Sequence, residues 1–277
     1  MRDILLQMRF TIKIRKNPAK LVLLEIALFL FFLIPAGNSL GQKAESLCPR
    51  ILSKLINRND FEVERGLVSP DSFIHSNYYS GVFGSGFLSK LKRLTRDDHW
   101  LNAGAGSAFA ERDYLAGVEE TAKVTSVGVK RPRGNRWDSK YPNDKYRYLE
   151  GRYIEDIPLS ELKKFGKPKV ITDLFGPLAY SHRPDLVMAK YLSLLHEDGT
   201  LFIRPGVYTS FTKGDKVFGF GTFLKMIPGV NVKQLKDGFE NCFEITVADS
   251  EKLRVPKLEL LFLDVNTRPP ERQFRVK

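Results

Sequence analysis

Between residues 99 and 204 short apolar runs alternate with segments of helical composition. His99 to Ala103 reads as a short buried strand running into Gly104-Ala105-Gly106. Residues 107–121 have helical composition, with Ser107 placed as an N-cap. Residues 123–129 (KVTSVGV) are rich in β-branched side chains, and KVITDLFG is a strong strand with Asp173 near its end. Residues 184–196 form an amphipathic helix, and GTLFIRP is the next strand. Parallel neighbours need a crossover between them, so this alternation predicts a parallel α/β sheet. Residues 243–265 break the pattern and read as two strands around a turn, which can pair only antiparallel. The expected fold is a mostly parallel twisted sheet with helices on both faces and a C-terminal antiparallel hairpin. A helical extension containing residues 48–66 precedes it.

The N-terminus reads differently. Arg2, Arg9, Lys13, Arg15, Lys16 and Lys20 precede an apolar run, Leu21 to Ile34, broken only by Glu25. Pro35, Ala36 and Gly37 end the run, and Ser39-Leu40-Gly41 offers a small-x-small site before Gln42. A basic segment, an apolar core and such a site are the anatomy of a signal peptide, or of a signal anchor if uncut. The division expected is 1–41 leader, 42–97 helical extension and 98–277 α/β domain. Export, or anchoring with the domain outside, is favoured over a cytoplasmic location. The chain's net charge of +12 excludes an acidic solvating protein, and part of it belongs to this leader. Cys48 and Cys242 are too few for a cysteine-built zinc site, and the four histidines lack HExxH spacing, so no metal is expected. The two cysteines either pair in an oxidising compartment or stay as buried thiols.

Two glycines between a buried strand and a helix let backbone approach a ligand closely, though helix–strand packing uses glycine in the same way. The order of the later segments adds to this. Residues 100–108 (WLNAGAGSA), KVTSVGVK, EGRYIEDIPL, KVITDLFGPLAY and YLSLLHEDGTLFI resemble, in sequence, the first to fifth strand motifs of class I S-adenosylmethionine-dependent methyltransferases. The resemblance spans roughly residues 70–270. It implies S-adenosylmethionine as cofactor and methyl transfer to an acceptor as activity. The cofactor-binding positions it implies are Asn102, Ala103, Gly104, Ala105, Gly106, Lys130, Glu155, Asp156 and Asp173. Asp173 and His182 are the candidates for a base near the carboxyl ends of the strands.

The chain departs from the family pattern at three places. Asn102 stands for the strand-one acid, Ala108 for the third glycine and Lys130 for the acid that holds ribose hydroxyls. Lysine has no acceptor, so Lys130 with Arg131 suits a phosphate better than a ribose. A basic, aromatic segment at 130–148 contains Arg133, Arg136, Trp137, Tyr141 and Tyr148. For an exported chain it favours an anionic polymer or membrane surface over nucleic acid. Two functions follow. One is a methyltransferase with a small-molecule cofactor. The other is an exported, catalytically inactive protein of that fold, acting in binding or in the envelope.

Overall fold

The computed structural model describes residues 76–106, 108–117, 121–128, 144–150, 153–236, 241–264, 266 and 270–277. The leader, the helix read at 48–66, Cys48, Lys130 and the basic segment up to residue 143 lie outside the described residues.

Helices α1 (Ser76–Phe83) and α2 (Ser85–Lys92) precede β1 (His99–Asn102). Then follow α3 (Phe109–Gly117), β2 (Lys123–Gly128), β3 (Tyr146–Glu150), α4 (Leu159–Leu162) and β4 (Val170–Leu174). Helices α5 (Pro177–Tyr180) and α6 (Pro184–Leu194) lead to β5 (Thr200–Arg204). The chain continues through β6 (Thr209–Lys213), β7 (Lys216–Gly219), α7 (Phe220–Lys225), β8 (Val230–Gln234), β9 (Phe243–Val247), β10 (Leu258–Asp264) and β11 (Glu271–Val276).

The main sheet has the order β3-β2-β1-β4-β5-β9-β8. The first five strands are parallel, and β9 is antiparallel to both β5 and β8. The sheet is thus mostly parallel and seven-stranded, with its two antiparallel strands, β9 and β8, at one side. Its strands alternate between two cores, as a pleat of period two requires. Trp100, Val170 and Phe202 face one core with Tyr79, Phe83, Phe87 and Tyr114 from α1, α2 and α3. Leu101, Ile171, Leu201 and Ile203 face the other with Val187, Tyr191 and Leu194 from α6. The helices at 76–92, which fall within the extension on the sequence, therefore bury their aromatic faces against the sheet. At the start of β1, buried His99 keeps its ring between the Gly166 carbonyl at 3.0 Å and the Thr125 hydroxyl at 2.9 Å.

The segments read as a closing hairpin do not pair with each other. Strand β9 pairs with β8 and β5, whereas β10 pairs with β11. The ten residues between them include Pro256, which lacks an N–H donor, and they do not make a tight turn. Strands β10 and β11 belong to a second sheet, β10-β11-β6-β7, which the sequence reading missed. Its Phe211 and Phe274 are fully buried and join the α6 core together with Phe220 and Phe223 of α7. That helix settles the segment FGTFLKMIPG, which reads equally as helix or strand in sequence.

Candidate functional site

Strand order in the main sheet reverses between β1 and β4. In open α/β sheets ligands lie outside the carboxyl ends of the strands at such a point. The loop after β1 hangs between its two neighbours. Ala103 N–H donates to Thr172 O on β4 at 2.8 Å, and Ala105 N–H donates to Val127 O on β2 at 3.1 Å. The loop then turns through left-handed conformations at Gly106 (φ 49°) and Ala108 (φ 55°). A side chain there is strained, so the alanine in place of the third glycine is not a neutral replacement. The loop after β4 holds a second such residue, Phe175 (φ 50°), whose ring lies 4.5 Å from the Arg204 guanidinium.

The two loops touch through glycine. A Cβ on Gly104 would fall 2.9 Å from Gly176 Cα, and one on Gly176 would fall 2.7 Å from Gly104 Cα. Neither position accepts a side chain without a backbone shift, which leaves bare main chain at the reversal point.

Asp173 holds the β4 loop in shape. Its Oδ1 accepts Gly176 N–H at 2.8 Å, and its Oδ2 accepts Leu178 N–H at 2.9 Å and the Tyr191 hydroxyl at 2.7 Å. Burial pushes its carboxyl up to about 6, against the pull of these donors and of Arg272. Arg272 reaches in from β11 of the second sheet. Fully buried, it donates to Ser181 O at 2.5 Å, Leu178 O at 2.7 Å and Thr209 Oγ1 at 2.8 Å. The second sheet thus clamps the segment that follows Asp173.

Asn102 is fully buried and faces α1 and α3. Its amide donates to the Tyr79 hydroxyl at 2.7 Å and to Glu111 Oε1 at 2.8 Å. Glu111 Oε1 also accepts the Ser126 hydroxyl at 2.8 Å, while Glu111 Oε2 is buried with no hydrogen-bond partner among the described residues. Desolvation pushes the Glu111 carboxyl up to about 7 and the Tyr79 phenol higher still.

At the next strand end, Tyr148 of β3 crosses β2. Its hydroxyl donates to Gly106 O at 2.7 Å, and a Cβ on Gly128 would lie 2.0 Å from the Tyr148 hydroxyl oxygen. The phenol takes the space a β2 side chain would need and ties β3 to the glycine loop.

Asn102, Ala103, Gly104, Ala105, Gly106 and Asp173 are therefore brought together at the reversal point. Lys130 lies outside the described residues. Strand β3 ends at Glu150, which is exposed, and Glu155 and Asp156 fall in the turn that follows. Glu155 accepts the Ser181 hydroxyl at 2.5 Å, and Asp156 is exposed. His182 stands half-buried between α5 and α6. Sequence reasoning missed Glu111, Tyr148 as a latch, and Arg272. For Glu111 a signal existed: buried Ala110, Glu111, Tyr114 and Leu115 form one helical stripe, which places an acid on an apolar face.

Among the described residues no group of three or more His, Cys, Asp or Glu side chains is gathered to hold a metal ion. Among them, too, no helix is long and apolar enough to cross a membrane. Cys242 is buried, and desolvation pushes its thiol up to about 11.

No family model matches the chain, and no curated protein matches it by sequence. Three solved structures illustrate what it is similar to. A SAM-dependent methyltransferase from Aquifex aeolicus is 18% identical over 63% of this chain and 97% of its own, with a TM-score of 0.41. An rRNA methylase from Streptococcus thermophilus is 12% identical over 64% and 99%, with a TM-score of 0.38. A precorrin-6y C5,15-methyltransferase from Geobacter metallireducens is 16% identical over 58% and 83%, with a TM-score of 0.35.

Proposed function

We propose that the chain is an S-adenosylmethionine-dependent methyltransferase that holds its cofactor at the carboxyl ends of β1 and β4. The observation that carries this reading is the bare backbone at Gly104 and Gly176, set where the strand order reverses. The residues present fit the group. The loop 103–106 has no side chain larger than a methyl, so a nucleoside can approach its main chain closely. Asn102, which precedes the loop, bonds the carboxyl of Glu111, whose other oxygen is buried with no hydrogen-bond partner among the described residues. Gly104, Ala105 and Gly106 would hold the cofactor, which when bound would supply an electrophilic methyl group on a sulfonium.

The chain's own part is to bind, orient and exclude water. With three donors on its carboxylate, Asp173 shapes the loop after β4 rather than taking a proton. The acceptor then has to arrive as a nucleophile, or lose its proton elsewhere. Calorimetric titration with S-adenosylmethionine and S-adenosylhomocysteine tests the reading. Binding is expected, and its absence at about 1 mM ligand refutes it.

A second reading has one observation in its favour. Asn102 and Asp173, the two strand-end polar groups, are both buried and committed to internal hydrogen bonds. An exported protein of this fold without catalysis, meeting an anionic polymer or membrane surface through 130–148, would need nothing else of them. Failure to bind either cofactor form, together with recovery of the chain outside the cytoplasm, would select this reading.

A further inference from the structure

The proposed cofactor is a cation, carrying an ammonium as well as a sulfonium, and a largely desolvated cation needs an acidic partner. Asn102, at the end of β1, has no charge to offer, and both of its amide hydrogens are taken by Tyr79 and Glu111. Asp173 has both oxygens occupied. Glu111 differs. It sits in the first turn of α3, directly after the glycine loop, and is fully buried. Asn102 and Ser126 both donate to its Oε1, which fixes the carboxyl plane, while Oε2 has no hydrogen-bond partner among the described residues.

We infer that Glu111 supplies the acidic group of the glycine loop, its Oε2 receiving the cofactor's ammonium, in place of a carboxylate on residue 102. The acid has moved from the strand to the helix, and Asn102 orients it. This rests on the methyltransferase reading. The pair is also nearly reversible in its geometry. With aspartate at 102 and glutamine at 111, the same contact would form with donor and acceptor exchanged. The Tyr79 hydroxyl would then donate to position 102 instead of accepting from it.

That reversal is the test. The full chain, Glu111→Gln, and the swap Asn102→Asp with Glu111→Gln are each titrated with S-adenosylmethionine and with S-adenosylhomocysteine, which keeps the ammonium but lacks the sulfonium charge. Melting temperatures establish that each variant folds. E111Q is expected to weaken both ligands by about tenfold or more, and the swap to restore them to within about threefold of wild type. A purely packing role for Glu111 would not be rescued by an acid on residue 102. Equal affinity in wild type and E111Q, or a folded swap as weak as E111Q, overturns the inference and leaves the methyltransferase reading standing. A wild type that binds neither ligand at about 1 mM overturns both. If E111Q alone fails to fold, the swap decides: binding near the wild-type level supports the inference, and its loss overturns it.

Discussion

Glu111 makes the stability of this fold depend on pH in a direction that a neutral isostere should cancel. Burial is the main cause that lifts its carboxyl from an ordinary 4.5 to about 7, with Asp113 on the same helix adding to it. Its own backbone N–H, and then donation from Ser126 and Asn102, oppose the shift without reversing it. The native state therefore holds the proton more tightly than the unfolded chain, by a factor of about 300, or roughly 3 kcal/mol. The sign follows from linkage. The stability tied to this proton is present in full below the unfolded value of 4.5 and is lost as pH rises through about 7. Glu111→Gln keeps the shape of the protonated acid and removes the titration. Urea unfolding of wild type and E111Q, followed through the buried Trp100, should give similar stabilities near about pH 5. Near about pH 8 the variant should be the more stable, with the gap widening by about 2–3 kcal/mol between the two conditions. A gap that stays constant with pH would show that Glu111 is not held neutral by burial, and the account of the Asn102–Glu111–Ser126 cluster would fall with it.

Three further outcomes are expected. Ala108→Gly should raise stability by about 0.5–1 kcal/mol, because Ala108 sits at φ 55°; a lower melting temperature would contradict this. Arg272→Ala should cost about 3–5 kcal/mol in denaturant unfolding, since it strips buried Leu178 O, Ser181 O and Thr209 Oγ1 of their donor. A loss below about 1 kcal/mol would remove the clamp from the account. His99 is held neutral, lowered by burial from 6.5 to about 4, so its stabilising effect is present above 6.5 and is lost as pH falls towards 4. His99→Gln should flatten that acid limb by about 3 kcal/mol, and an unchanged limb would refute the assignment.

Much of the main sheet was legible because strands β1, β2, β4 and β5 are buried on both faces and read as short runs rich in apolar or β-branched residues. The second sheet was not. Strand β6 (TSFTK) buries alternate residues only and β7 (KVFG) buries none, so neither stands out in sequence, and β11 meets β6 across some sixty residues of chain. No local pattern announces a pairing at that distance. The site was legible at the level of the glycine loop and Asp173, which lie at the strand ends where their spacing placed them. The direction of Asn102 was not, because its partners Tyr79 and Glu111 come from two different helices. The end of β3 was misplaced by a few residues because YRYLEGRYI carries aromatic and β-prone residues on both sides of Glu150.

Strand β11 has a consequence for the timing of folding. It lies between β10 and β6 in the second sheet, and it carries Arg272 to the carbonyls of Leu178 and Ser181. During synthesis the ribosome releases the five parallel strands of the main sheet well before residue 272. The hairpin of β6 and β7 then waits with one edge open, and the segment after Asp173 waits without its guanidinium. That edge closes only when β11, paired antiparallel with β10, docks parallel to β6. A chain released before that strand emerges would have its main sheet but no guanidinium clamp on the segment after β4, and an unpaired edge on β6 open to other chains.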